Sequence, residues 1–299
     1  MKILLLGKNG QVGWELQRAL APLGEVIAPG REGSGELCGD LTQLDALAAT
    51  VRRVRPEVIV NAAAYTAVDQ AEQEPERAQC INADAPGVLA REAAALGAWL
   101  VHYSSDYVFD GSGQQPWRED DKTGPLSVYG KTKLDGEVQI RGAGGPHLIL
   151  RTSWVYGARG GNFAKTMVRL ASEREQLRVV ADQIGAPTGA DLIADVTAHA
   201  LRQALRQPQL GGTYHLAAAG ETSWHGYACH VLRQAQALGR PLKVAPEQVE
   251  AIASAAYPTP ARRPLNSRLD TTRLRRAFQL HLPPWQAGVE RMLQEWLGA

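Results

Sequence analysis

Cysteine is nearly absent. The 299 residues hold three, Cys38, Cys80 and Cys229, odd in number and far apart. That excludes a disulfide framework and any paired-cysteine metal pattern, and a reducing cytoplasm is the expected location. Long apolar runs are missing too. None reaches the roughly 18 residues of a membrane span, and the opening "MKILLLGKNG" breaks at glycine before it could serve as a signal segment. Charge of one sign is also lacking. The formal net charge is +1 and no Lys/Arg block stands out, so no nucleic-acid partner is expected. The pairs Arg52-Arg53, Arg262-Arg263 and Arg275-Arg276 read as solvated helix faces or single anion contacts. There is no internal repeat and no low-complexity tract. What remains is 44% hydrophobic and 21% charged, the composition of a folded chain with room for one large or two modest domains.

Order then emerges from periodicity. "KILLL" (residues 2–6), "EVIA" (25–28), "EVIVNAAA" after Pro56, "WLVHYSS" (99–105) and "HLILR" (147–151) are apolar strand-like runs. Amphipathic stretches at 11–23, 44–54 and 81–97, and one beginning near Tyr129, separate them. Buried strands alternating with helices predict an α/β fold, a doubly wound parallel sheet of Rossmann type covered on both faces. Past Arg151 the rhythm loosens. Helical patterns at 162–172, 191–206 and 224–238 alternate with Pro/Gly-rich segments such as "QIGAPTG" and "YPTPARRPLN". The expectation is a nucleotide-binding domain over 1–152, with returning segments near 190–210, and a smaller, interleaved α+β substrate lobe over 153–299. In "HGYACH", His225, Cys229 and His230 have loose metal spacing, but incidental His and Cys on a helix are far commoner.

The first strand runs into "GKNGQVG". Gly7, Gly10 and Gly13 stand at the mouth of a helix with the spacing G-x-x-G-x-x-G. Glycines there permit a tight turn and let backbone approach a pyrophosphate seated on the helix N-terminus. The position after strand one makes this a dinucleotide-binding loop. The end of the second strand selects the dinucleotide, because a carboxylate there takes a ribose 2′-hydroxyl and an arginine a 2′-phosphate. Here "IAPGREG" offers Pro29 and Gly30, then Arg31. NADPH is the expected cofactor with Arg31 at its phosphate; a one-residue change of register would hand the ribose to Glu32 and admit NADH.

In "SVYGKTKLDGE", Tyr129 and Lys133 lie four residues apart, on one face of a helix. Ser104 and Ser105 close the strand "WLVHYSS", at the end where ligands of open α/β sheets bind. A serine, a tyrosine and a lysine in that order on this scaffold resemble the short-chain dehydrogenase/reductase superfamily in its extended form. The segments "GKNGQVGWEL", "NAAAYTAVDQAE", "SSDYVFDG", "YGKTKLDGE", "RTSWVYG", "NFAKTM", "DQIGAPTGA" and "YPTPARRPLNSRLDT" narrow the resemblance to the dTDP-4-dehydrorhamnose reductase family, over residues 1 to about 272.

The resemblance implies an NADPH-dependent oxidoreductase that reduces the C4 ketone of dTDP-4-dehydro-L-rhamnose, the last step to dTDP-L-rhamnose. It places Gly7, Gly10, Gln11, Val12 and Gly13 around the pyrophosphate, Asp40 and Leu41 beside the adenine, and Ala62, Ala63 and Ala64 along the cofactor. Ser105, Tyr129 and Lys133 match the catalytic set; register from "DYVF" selects Ser105 over Ser104. Ser105, Asp106, Tyr129 and Trp154 fall on the substrate side. Tyr129 is then the proton donor, with the Lys133 ammonium lowering its phenol from the usual ~10 toward neutrality. Lys133 also holds the nicotinamide ribose. Some members bind Mg²⁺ through carboxylates at a homodimer contact, at positions matching Glu15, Asp191 and Glu295; three solvated carboxylates fit the sequence equally well. A reductase or epimerase of another nucleotide sugar, or a non-catalytic regulatory subunit of the same fold, is the alternative function.

Overall fold

The central strands of the sheet are buried along nearly their whole length, so they are covered on both faces. In the computed structural model, which describes residues 1–33 and 35–298, six strands pair in one parallel sheet. They are β1 (Lys2–Leu6), β2 (Glu25–Ile27), β3 (Val58–Asn61), β4 (Trp99–Ser105), β5 (His147–Thr152) and β6 (Gly212–His215), in the order β2-β1-β3-β4-β5-β6. Side chains alternate across a strand, and the two faces separate cleanly. Ile3, Leu5, Val58, Val60, Val101, Leu148 and Leu150 pack under Leu16, Leu20, Ile193 and Leu201 of helices Gln11–Leu20 and Ala190–Ala204. Leu4, Leu6, Ile59, Leu100 and Ile149 pack under Leu47, Val51, Leu89 and Ala93 of helices Leu44–Val54 and Ala85–Leu96.

The chain leaves β1 for β2 on one side and crosses back to β3 on the other. That reversal opens a crevice at the carboxyl ends of β1 and β3, the usual ligand position in open α/β sheets. Pro22 ends the first helix early, and residues Ala21–Leu23 continue as a 3₁₀ turn. Residues 81–97 differ from one smooth helix in a second way. A π-helical turn over Cys80–Asp84, closed by the Ala85 N–H on the Cys80 carbonyl, precedes the helix Ala85–Leu96. Pro86, lacking an N–H, sits at the junction.

A third core holds the C-terminal helices together. Met167 and Val168 of Phe163–Glu173 meet Val231 and Leu232 of Trp224–Ala237 and Val289 and Leu293 of Trp285–Leu297. β6 and helix Ala190–Ala204 nonetheless belong to the main sheet, so the chain passes back and forth between the two bodies. Among the described residues no helix is long and apolar enough to cross a membrane.

Candidate active site

A cavity of about 640 Å³ runs along the carboxyl ends of β1, β3, β4 and β5. One end is backbone. Gly7 ends β1 with φ +84°, and a Cβ there would fall 2.6 Å from the Ala63 nitrogen. A Cβ on Gly13 would collide with the Gly7 carbonyl oxygen. Only glycine permits this close turn, which aims the first N–H groups of helix Gln11–Leu20 into the cavity, with Gly10 as its N-cap. Gln11, Val12, Ala62, Ala63 and Ala64 line the same end, with Arg31, Asp40 and Leu41 beyond them. Arg31 is two-thirds exposed, its Nε 3.8 Å from an Asp40 oxygen, while Glu32 is not part of the lining. The glycine cradle, with an exposed guanidinium at its far rim and no carboxylate at the β2 tip, fits a phosphorylated dinucleotide.

The other end is side chains. Ser127 caps the helix Val128–Gly142, its Oγ accepting the Gly130 N–H at 3.2 Å. The first turns of that helix carry Tyr129 and Lys133 into the cavity. Burial pushes the Tyr129 phenol up to about 12; the Ser105 hydroxyl opposes that shift and Asp106 adds to it. The expected lowering by Lys133 is not seen. Burial instead pulls the Lys133 ammonium down to about 8, against Glu137 one turn on, and its Nζ donates to the Tyr103 carbonyl at 2.5 Å and lies 3.4 Å from His102 Nε2.

Ser105 ends β4 beside Tyr129. Its Oγ accepts the Tyr107 N–H at 3.2 Å and donates to Asp106 Oδ1 at 2.9 Å. Asp106 is almost wholly buried, and burial raises its carboxyl to about 6 although Ser267 and Ser105 oppose the shift. Its Oδ2 is buried without a hydrogen-bond partner. Trp154 and Trp224 line the cavity beyond it.

Four supporting groups carry no sequence signal of their own. Asn61 accepts the Ala63 N–H at 3.2 Å, which turns its amide to face His102 Nδ1, also at 3.2 Å, and burial holds His102 well below its usual range. Asn82, in the π-helical turn, grips Tyr65 at both backbone atoms and donates to Thr132 Oγ1, fixing the tyrosine helix from behind. Trp224 comes from the C-terminal helices. Only contacts between distant segments give these residues a place.

The possible magnesium site finds no support within one chain. Glu15, Asp191 and Glu295 do line one second cavity, of about 420 Å³, with Trp14, Tyr156 and Arg291. Among the described residues no three carboxylates, histidines or cysteines converge to hold an ion. Arg18 Nε lies 3.3 Å from Glu15 and Arg291 Nη1 3.6 Å from Asp191, so guanidinium groups supply the charge that an ion would bring. His225, Cys229 and His230 are likewise engaged elsewhere, on the Val249 and Pro246 carbonyls and on Glu290.

Comparison with known proteins agrees with this geometry. Residues 1–297 match the family model described as the RmlD substrate binding domain. A dTDP-4-dehydrorhamnose reductase of Escherichia coli strain K12 is 57% identical over 295 residues, 99% of this chain and 98% of the relative. Two solved structures share the fold closely. A dTDP-4-dehydrorhamnose reductase of Clostridium acetobutylicum has TM-score 0.86 at 34% identity, covering 98% of this chain and 99% of that one. One from Bacillus anthracis, in complex with NADP, has TM-score 0.86 at 33% identity with the same coverage. With a family model spanning nearly every residue and relatives matched end to end, the chain belongs to the dTDP-4-dehydrorhamnose reductase family.

Proposed function

We propose that the protein reduces the C4 ketone of dTDP-4-dehydro-L-rhamnose to the alcohol of dTDP-L-rhamnose, using NADPH, as a cytoplasmic enzyme. The observation that carries this reading is one continuous cavity joining the glycine cradle to Ser105, Tyr129 and Lys133, in a chain 57% identical to a dTDP-4-dehydrorhamnose reductase. Residues 1–152 with the returning segments bind the cofactor, and the C-terminal helices close over the sugar.

Gly7, Gly10, Gln11, Val12 and Gly13 hold the pyrophosphate, Ala62 to Ala64 leave room for the dinucleotide, Asp40 and Leu41 flank the adenine, and Arg31 takes the 2′-phosphate. When bound, NADPH supplies the hydride. Charge then builds on the ketone oxygen, and Tyr129 neutralises it. A phenol raised to about 12 is fully protonated at neutral pH, so it is a donor from the outset. The Lys133 ammonium stabilises the phenolate that forms and must leave the Tyr103 carbonyl, or share it, to do so. The Ser105 hydroxyl donates to Asp106 Oδ1 in the structure and would turn that proton to the ketone oxygen as charge builds there. Asp106 and Trp154 meet the sugar nucleotide.

Purified protein mixed with NADPH and enzymatically prepared dTDP-4-dehydro-L-rhamnose should consume both in equal amounts. Absence of turnover, with NADPH still bound, would leave a regulatory subunit of the same fold. Faster turnover with another nucleotide 4-keto sugar would reassign the substrate.

A further inference from the structure

Three polar groups stand in a row between the cofactor wall and the tyrosine helix. Asn61 ends β3, His102 lies in the middle of β4 directly opposite it, and Lys133 projects from the helix Val128–Gly142. All three side chains belong to residues almost wholly buried, so their protons are placed by one another and by backbone.

The row fixes the histidine tautomer. Asn61 Oδ1 accepts the Ala63 N–H at 3.2 Å, so its Nδ2 is the atom 3.2 Å from His102 Nδ1. An amide nitrogen only donates, and Nδ1 must therefore be bare. Burial keeps His102 neutral. A neutral imidazole with a bare Nδ1 carries its single proton on Nε2, and Nε2 lies 3.4 Å from Lys133 Nζ. An ammonium has three N–H donors and no lone pair, so it meets that N–H as donor against donor. The neutral amine meets it with a lone pair and still donates to the Tyr103 carbonyl.

The other charges on the elements packed here are paired or directed elsewhere. Glu137, one turn on in the same helix, favours the ammonium, yet Arg151 of β5 holds it at 2.7 and 2.8 Å and Arg141 at 3.0 Å. Asp106, just past β4, acts on Tyr129. Glu72 accepts the Val128 N–H at the start of the helix, and Asp84 of the π-helical turn accepts from Gln139 further along it.

We infer that Asn61 and His102 are positioning residues that act through Lys133: Asn61 keeps the His102 proton on Nε2, and that N–H, aimed at Nζ, favours the amine over the ammonium and so governs the charge beside Tyr129. This deepens the proposed function and rests on its use of the Lys133 ammonium. The tautomer itself is read without turnover, so failure of the relay and failure of the reaction are distinguishable.

The test uses protein labelled with ¹⁵N-histidine, the His102 signals being assigned by their loss in His102→Gln. From pH 7 to pH 9 wild-type His102 should show a protonated Nε2 and a bare Nδ1; a proton on Nδ1 would overturn the proposal with no variant needed. Asn61→Asp keeps an acceptor for the Ala63 N–H but turns the amide donor into a second acceptor. The proton should move to Nδ1, leaving Nε2 to accept from the ammonium, and the alkaline limb of kcat/KM should move up by about one pH unit or more. A moved limb with the proton still on Nε2 would be the direct field of the new carboxylate and would overturn the relay. An unmoved limb with the proton on Nδ1 would show that His102 does not act on Lys133. If Asn61→Asp does not fold, His102→Gln takes its place, because its amide can turn an oxygen to the ammonium; its limb should also move up, and an unmoved one would count against the proposal in the same way.

Discussion

The two ends of the cavity are built by opposite means. The dinucleotide end is mostly backbone, and most of it lies in one contiguous loop, Gly7 to Gly13, whose glycines are dictated by collisions any Cβ would cause. The sugar end is side chains from segments far apart in the chain: Ser105 and Asp106, Tyr129 and Lys133, Trp154, Trp224. The first end is preorganised cheaply, since turns and helix termini need no buried charge. The second is costly. It holds a carboxylate oxygen buried without a partner, a lysine pulled down to about 8 and a tryptophan on strained backbone. Strain and perturbed titration gather where chemistry is expected.

The contrast is broken hardest at Tyr129. Tyr129→Phe removes one hydroxyl, so kcat should fall by roughly 10²–10⁴, about 3–5 kcal/mol of barrier, while NADPH affinity holds. Near-wild-type turnover would take proton donation away from the sugar end.

Asp106 comes next, because its cost should be measurable as stability. Its folded carboxyl titrates near 6, above the ordinary 3.8, so the native state binds the proton more tightly than the unfolded chain. Stability is therefore lost as pH rises from about 4 through 6, and the full penalty stands at neutral pH. Asp106→Asn should stabilise the protein at pH 7 by roughly 2–3 kcal/mol, with the gain vanishing below about pH 4, while KM for the sugar nucleotide rises. Denaturant melts at pH 7 and pH 4 decide it; a destabilised variant at pH 7 would mean the carboxylate is held by more than Ser105 and Ser267.

A smaller effect follows from Lys133. If its ammonium is needed, kcat/KM should fall as pH rises through about 8, approaching tenfold per pH unit above that value. The same alkaline limb in Lys133→Arg, whose guanidinium stays charged, would assign it to another group.

The smallest change belongs to the backbone end, where one exposed side chain matters. Arg31→Ala should raise KM for NADPH by about fivefold to tenfold and leave NADH nearly unaffected, since a solvent-screened arginine–phosphate contact is worth about 1 kcal/mol. Equal losses with both cofactors would move Arg31 off the 2′-phosphate.

Legibility follows the same division. Strand runs such as "KILLL" and "WLVHYSS", the glycine spacing and the Tyr129–Lys133 interval are local patterns, and each element lies close to where its periodicity put it. The π-helical turn at Cys80–Asp84 was not legible, because it answers to Asn82 packing on the tyrosine helix rather than to its own sequence. His102 reads as an ordinary strand residue until Asn61 and Lys133 are seen on either side of it. The carboxylates Glu15, Asp191 and Glu295 show the reverse case. They share one cavity, yet the neighbouring Arg18 and Arg291 that make a different charge balance are visible only in three dimensions.

By itself the sequence determined the alternating sheet, the glycine turn after the first strand and the placing of Tyr129 and Lys133 on one helix face, because periodicity, glycine sterics and i,i+4 spacing are set within a few residues of chain. Tertiary structure alone decided how those side chains are tuned. Desolvation depends on everything packed around a group. It raises Tyr129 and Asp106 and lowers Lys133, and Trp154 stacks on Trp224, through neighbours that the chain brings back from far away.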